Sequence, residues 1–212
     1  METIDLPPKA DSLMESMRDV GYSFESAIAD LIDNCVSAGA RHVDIRFSAL
    51  DPPYVAVLDD GRGMSASELT QAMRPGSQSP RETRSSTDLG RFGLGLKTAS
   101  LSQCRRLTVV SRSEDVIAGR EWDLDYLNQV GDWKLKALAG PDIDELPAVD
   151  QLGPFGTAVI WRELDRLREN FGEASFEAGM AAAMDRAQRH LEWARARKTD
   201  PGLHLKVTHQ FE

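Results

Sequence analysis

Apolar residues recur along this chain at two spacings, helical and alternating, and the two take turns. Phe24, Ile28, Leu31, Ile32, Cys35 and Val36 form one helical stripe, with Ser23 an N-cap by type and Gly39 suited to the residue past the helix end. The other side of that helix carries Glu25, Asp30, Asp33, Asn34 and Ser37. His42 to Phe47 alternates, with Val43, Ile45 and Phe47 on one side, and predicts a strand. After the turn at Asp51-Pro52-Pro53, Tyr54 to Leu58 is apolar throughout and predicts a buried strand. Ser65-Ala66-Ser67-Glu68 is a capping box that opens a short helix to about Met73. A glycine-rich stretch then leads into a helix to about Gln103. Strands are predicted over Leu107 to Ser111, Gly119 to Tyr126, Trp133 to Leu138 and Gly156 to Trp161, with an acidic loop from Pro141 to Pro154. Glu173 to Lys198 reads as a long helix whose buried stripe is Phe176, Met180, Met184, Ala187 and Leu191. Leu203 to His209 reads as a last strand. Met1 to about Ser12, broken by Pro7-Pro8, is expected to be a loosely held arm.

The polar positions carry the chemistry. Asp30, Asn34 and Ser37 lie on one line of their helix, where a carboxylate one turn from a carboxamide can hold a water and a magnesium ion. The buried strand runs into Asp59-Asp60-Gly61-Arg62-Gly63-Met64, which sets a carboxylate beside close-approaching backbone. A carboxylate accepts from an N–H donor such as the exocyclic amine of adenine. In Gly90-Arg91-Phe92-Gly93-Leu94-Gly95-Leu96-Lys97-Thr98, three glycines precede a lysine and a hydroxyl. Such a loop entering a helix turns N–H groups toward an anion, and a polyphosphate is the natural one. Arg74 to Asp88, long and rich in Ser, Thr and Arg, reads as a mobile lid.

Composition narrows the class. The chain has 212 residues, a hydrophobic fraction of 41% and a charged fraction of 28%, ordinary for a soluble globular protein with a sizeable core. No apolar run approaches the roughly 20 residues that span a bilayer, so no membrane is expected and the cytoplasm is the default location. Cys35 and Cys104 are expected to be free thiols. The net charge of −9 argues against nucleic-acid binding through the overall field, although local basic runs exist at Arg105-Arg106 and from Arg186 to Lys198. The second run reads as a solvated helix face with cations toward its C-terminus.

In order, these features are a helix bearing acid-x-x-x-Asn, a strand ending in Asp-x-Gly-x-Gly, a lid, Gly-x-x-Gly-x-Gly-x-Lys, and a late strand opening with Gly156-Thr157. That order resembles the GHKL ATPases (gyrase B, the large heat-shock chaperones, histidine kinases and MutL). The third motif is closest to its form in MORC proteins and their bacterial relatives. The resemblance implies an α/β (α+β) two-layer sandwich, the Bergerat fold, with a mixed, mostly antiparallel sheet, helices on one face and ATP between helices and lid. It implies Asp30 as the general base, Asn34 as the magnesium ligand and Asp59 as acceptor from adenine, supported by Thr157. Gly61, Gly63 and Met64 would line the base pocket, and Gly90, Arg91, Phe92, Gly93, Leu94, Gly95, Leu96, Lys97 and Thr98 would wrap the phosphates. The expected division is an arm and first helix over 1–20, an ATP-binding domain over 21–170 with a lid over 74–89, and over 171–212 a helix and strand that open a second domain. Implied partners are ATP with Mg2+ and, in a longer protein, an ATP-dependent homodimer.

The chain departs from the family at Asp30, where glutamate is usual, and at Ser37, where aspartate is common. A non-hydrolysing switch module therefore stands beside a slow ATPase. A histidine-kinase domain would need a dimerisation helix with its histidine ahead of the first motif, and no histidine precedes Ser23. A P-loop is excluded because Leu96 separates Gly95 from Lys97, a dinucleotide fold because no third glycine stands at Thr98, and an EF-hand by ligand spacing.

Overall fold

The computed structural model describes residues 3–4, 6–19, 21–76, 95–198 and 202–210, apart from the side chains of 173 and 190–198. In chain order the elements are α1 (Ala10–Arg18), α2 (Phe24–Ser37), β1 (His42–Ser48), β2 (Tyr54–Asp59), α3 (Ala66–Met73), α4 (Gly95–Leu101), β3 (Arg106–Ser113) and β4 (Val116–Asp123). There follow α5 (Leu124–Val130), β5 (Lys136–Leu138), α6 (Pro141–Asp144), β6 (Gly156–Arg162), α7 (Asp165–Phe171), α8 (Phe176–Lys198) and β7 (His204–His209). The strands make one sheet in the order β5-β4-β3-β6-β2-β1-β7, antiparallel throughout except where β7 lies parallel to β1. This is the mixed, mostly antiparallel sheet expected of the fold.

Alternation along the central strands sorts the core into two layers. Val55 and Val57 of β2, Leu107 and Val109 of β3, and Val159 and Trp161 of β6 face the helices, together with Phe24, Ile28, Leu31, Met180 and Met184. The intervening Tyr54, Ala56, Leu58, Val110, Ala158 and Ile160 face the other way and meet Ile143, Leu146, Val149 and Leu152. The segment expected as an acidic loop is thus a cover for the second face of the sheet, built from α6 and a 3-10 turn over Val149–Gln151. Its apolar residues fall three apart among the acids.

Several expected boundaries move. The strand expected to reach Tyr126 stops at Asp123, whose carboxylate accepts from the Tyr126 N–H at 3.0 Å and so caps α5. The strand expected from Trp133 shortens to β5, while the Trp133 ring meets Trp122 edge-on at 6.1 Å and its indole donates to the Pro8 carbonyl. The arm expected to run to Ser12 turns helical at Ala10, because Ala10, Met14 and Arg18 all bury. Arg18, 3% exposed, donates to the Leu101 carbonyl at 2.9 Å and to both oxygens of Asp165. That clasp ties α1 to the ends of α4 and α7, and α7 itself was not foreseen. Beyond residue 171, α8 lies on α2 in the helical layer and β7 extends the sheet past β1. Among the described residues no helix is long and apolar enough to cross a membrane.

The two-sided core gives a test. Ile143 is 1% exposed, so Ile143→Ala is expected to lower the unfolding free energy by about 2–5 kcal/mol, read from urea denaturation. A change below 0.5 kcal/mol would show that the segment is a dispensable loop.

Candidate functional site

The site begins with strand register. Val55 and Val57 face the helices, so Asp59, two residues on, emerges on that side as well. Asp59 pairs with Thr157 across β2 and β6, and Thr157 pairs with Ser111 across β6 and β3. Three buried polar side chains therefore stand in a row at one end of the sheet, under α2. Ser111 and Thr157 share a hydrogen bond at 2.9 Å, and the Ser111 hydroxyl accepts from the Met64 N–H at 2.8 Å. Ser111 joins the Gly61 to Met64 loop to the row, a role set by the β3–β6 register that no local signal in the sequence announces.

Asp59 receives the Gly61 N–H at 2.8 Å, and the Cys35 thiol of α2 and the backbone of Thr157 lie beside it and add polar contact. Burial raises its carboxyl from the ordinary value to about 6, although these contacts oppose the rise. Burial, followed by the Asp59 charge and its hydrogen bond, keeps Cys35 a thiol well above its usual range. A carboxylate has about four acceptor positions, so Asp59 retains capacity for one further N–H donor. The neighbouring Asp60 behaves otherwise. It is exposed and accepts from the backbone N–H groups of Arg41 and His42 and from the His42 ring, which fixes the start of β1.

Two glycines are required here by close approach to protein backbone. At Gly63, φ is +67°, and a Cβ would lie 2.0 Å from the Arg112 carbonyl oxygen. At Gly156, φ is +127°, and a Cβ would lie 1.9 Å from the Asp59 carbonyl oxygen. Each lets a loop press on the strand that carries the row.

Asp30 and Asn34 are half-buried on α2, one turn apart. Asp30 Oδ2 lies 3.6 Å from where a Cβ would sit on Gly95, the first residue of α4. Ser37 turns its hydroxyl back to the Asp33 carbonyl at 2.9 Å. Leu96 packs on the helix-side core and Thr98 is buried. Lys97 is 1% exposed and donates to the Ala72 carbonyl at 2.6 Å, and burial lowers its ammonium to about 8. It caps the last turn of α3, where the Trp122 indole also donates to the Met73 carbonyl at 2.9 Å. Gly90, Arg91, Phe92, Gly93 and Leu94, and the expected lid from 77 onward, lie outside the described residues.

The family model for histidine kinase-, DNA gyrase B-, and HSP90-like ATPases matches residues 22–156. Over 104 residues the chain is 35% identical to the DNA mismatch repair protein MutL of Pseudomonas paraeruginosa, a match that takes in 47% of this chain and 16% of that protein. Over 93 residues it is 33% identical to the ATPase morc-1 of Caenorhabditis elegans, covering 43% of this chain and 10% of that protein. Over 100 residues it is 33% identical to MutL of Rhodospirillum rubrum, covering 47% and 16%. The match takes in no more than 16% of the length of any of these three curated relatives.

The Asp59 carboxyl has a stability signature. Its folded-state value of about 6 lies above the ordinary 3.8, so the folded state holds the extra proton between those limits. The resulting destabilisation is complete above about pH 6 and is relieved as the pH falls from 6 to about 4. Relative to Asp59→Asn, the wild type should gain up to about 3 kcal/mol in unfolding free energy between pH 7 and pH 4. Urea denaturation at several pH values measures the difference, and parallel curves would place the carboxylate in water.

Proposed function

Because the chain belongs to the histidine kinase-, DNA gyrase B- and HSP90-like ATPases, we propose that it binds ATP with magnesium and hydrolyses it slowly. The observation that carries this reading is the row of Asp59, Thr157 and Ser111, with a buried carboxylate that can accept one more N–H donor. The adenine amine supplies that donor, and Thr157 supports the base from the neighbouring strand. Gly61, Gly63 and Met64 form the wall of the base pocket. Asn34 supplies a carboxamide oxygen to magnesium. Phosphate oxygens and water complete the shell, as is usual for an ion that keeps several waters. The glycine-rich stretch from Gly90 to Gly95 holds the phosphates, and the segment over 74–89 closes above them and promotes pairing of two copies.

Asp30 orients the attacking water. Its carboxylate sits about 1.5 Å further back than a glutamate's, and a misplacement of that scale can cost about 10²-fold in rate. The short carboxylate also favours a second reading, a switch that binds ATP and turns over little. Phosphate release from wild type and Asp30→Asn, with nucleotide affinity measured on both, separates the two. The ATPase reading expects release at least about tenfold faster from the wild type at similar affinity. Equal slow release with binding intact leaves the switch, and absence of ATP binding overturns both.

A further inference from the structure

The row of Asp59, Thr157 and Ser111 has a polarity, and Ser111 sets it. Ser111 is 0% exposed, and its hydroxyl meets three groups. The Met64 N–H donates to Ser111 Oγ at 2.8 Å. The Gly156 carbonyl oxygen lies 3.1 Å from that Oγ, and Thr157 Oγ1 lies 2.9 Å from it. A serine hydroxyl has one hydrogen and two lone pairs. A carbonyl only accepts, so a hydrogen given to Thr157 would leave the Ser111 and Gly156 oxygens facing each other with lone pairs alone. A hydrogen given to Gly156 satisfies all three contacts. One lone pair of Ser111 then receives the Met64 N–H, and the other receives the Thr157 hydroxyl. The Thr157 hydrogen is thereby used inside the protein, and Thr157 has only lone pairs to turn outward. The Gly156 carbonyl that anchors the arrangement is itself held, because the backbone there presses on that of Asp59.

Asp59 stands directly opposite Thr157 across β2 and β6, and its carboxylate also only accepts. The two present acceptors side by side. An exocyclic amine carries two N–H donors and suits both. A ring carbonyl in the same place brings a third acceptor against them and leaves every one unpaired. We propose that Ser111 positions the Thr157 hydroxyl as a fixed acceptor, and so selects nucleotides whose base carries an exocyclic amine over those with a ring carbonyl at that position. The inference rests on the reading of Asp59 as the acceptor for adenine. Ser111 acts through Thr157, so it is a positioning residue.

ATP and inosine triphosphate are the probes, since they differ in having an amine or a carbonyl at one ring position and in the hydrogen on the neighbouring nitrogen. Binding of each to the full chain is measured by calorimetry well above the Asp59 value of about 6, where the carboxylate is ionised. The wild type should prefer ATP by about 100-fold. In Ser111→Ala the Thr157 hydroxyl is free to donate, so the preference should shrink at least about tenfold, chiefly through tighter binding of inosine triphosphate. Ser111→Cys keeps the bulk with a weak acceptor and should move the ratio in the same direction, which preserves the test if Ser111→Ala does not fold. A loosened pocket would weaken both nucleotides and leave the ratio unmoved, and that result overturns the proposal. In a Thr157→Val background the Ser111 substitution should change the ratio by less than about twofold, and a ratio that still falls tenfold also overturns it. A wild type that binds both nucleotides equally overturns the specificity alone. A wild type that binds neither overturns the ATP reading and this inference with it.

Discussion

A carboxylate out of water is costly unless donors surround it, and Asp59 is the point at which this fold meets that cost. Three parts of the chain meet at it: the turn after its own strand, where the Gly61 N–H donates, the helix above at Cys35, and the neighbouring strand at Thr157. They meet only when β2, β6 and α2 are assembled in their observed relation. The burial still dominates, and the carboxyl is raised. Such a group is short of solvation in its charged form and readily accepts one more N–H. A ligand amine that completes its shell therefore returns free energy that folding left uncollected.

The same dependence explains why the sheet is covered on both faces. Side chains alternate along a strand, so a slip by one residue would turn Asp59, Thr157 and Ser111 out of the row together. The slip would also exchange Val55 and Val57 for Tyr54, Ala56 and Leu58 beneath the helices, and both layers would lose their fit. The cover over the second face thus defends register as well as burying area. Gly156 adds a local lock, because only a residue without a Cβ lets β6 start against the Asp59 carbonyl.

Much of this was legible in residue order. The α2 stripe, the alternation of β1, the apolar run of β2 and the capping box of α3 are local patterns, and each formed where its pattern placed it. The fold class and the family followed from the order of the motifs. What stayed hidden depends on pairing between distant segments. Asp59 and Asp60 are the same residue type side by side, and only strand parity decides which is buried. Ser111 matters because of β3–β6 register. The apolar residues of 143–152 were masked by the acids between them, and α7 by its brevity and its charge.

The two halves of the proposed site are built differently. The base end stands on adjacent strands, where register sets each position and loops are wedged by glycine. The reacting end stands on α2, and single side chains hold the elements around it: Lys97 the end of α3 and Arg18 the end of α4. Both ends stand on regular elements, which place side chains more precisely than loops do. A carboxyl group's orientation is also more sensitive to a small displacement than is an acceptor that needs only proximity. On the proposed function, nucleotide binding is then the robust property of the fold. Turnover is the tunable one, set by how firmly a few contacts around α2 and α4 hold a carboxylate one methylene short of its relatives.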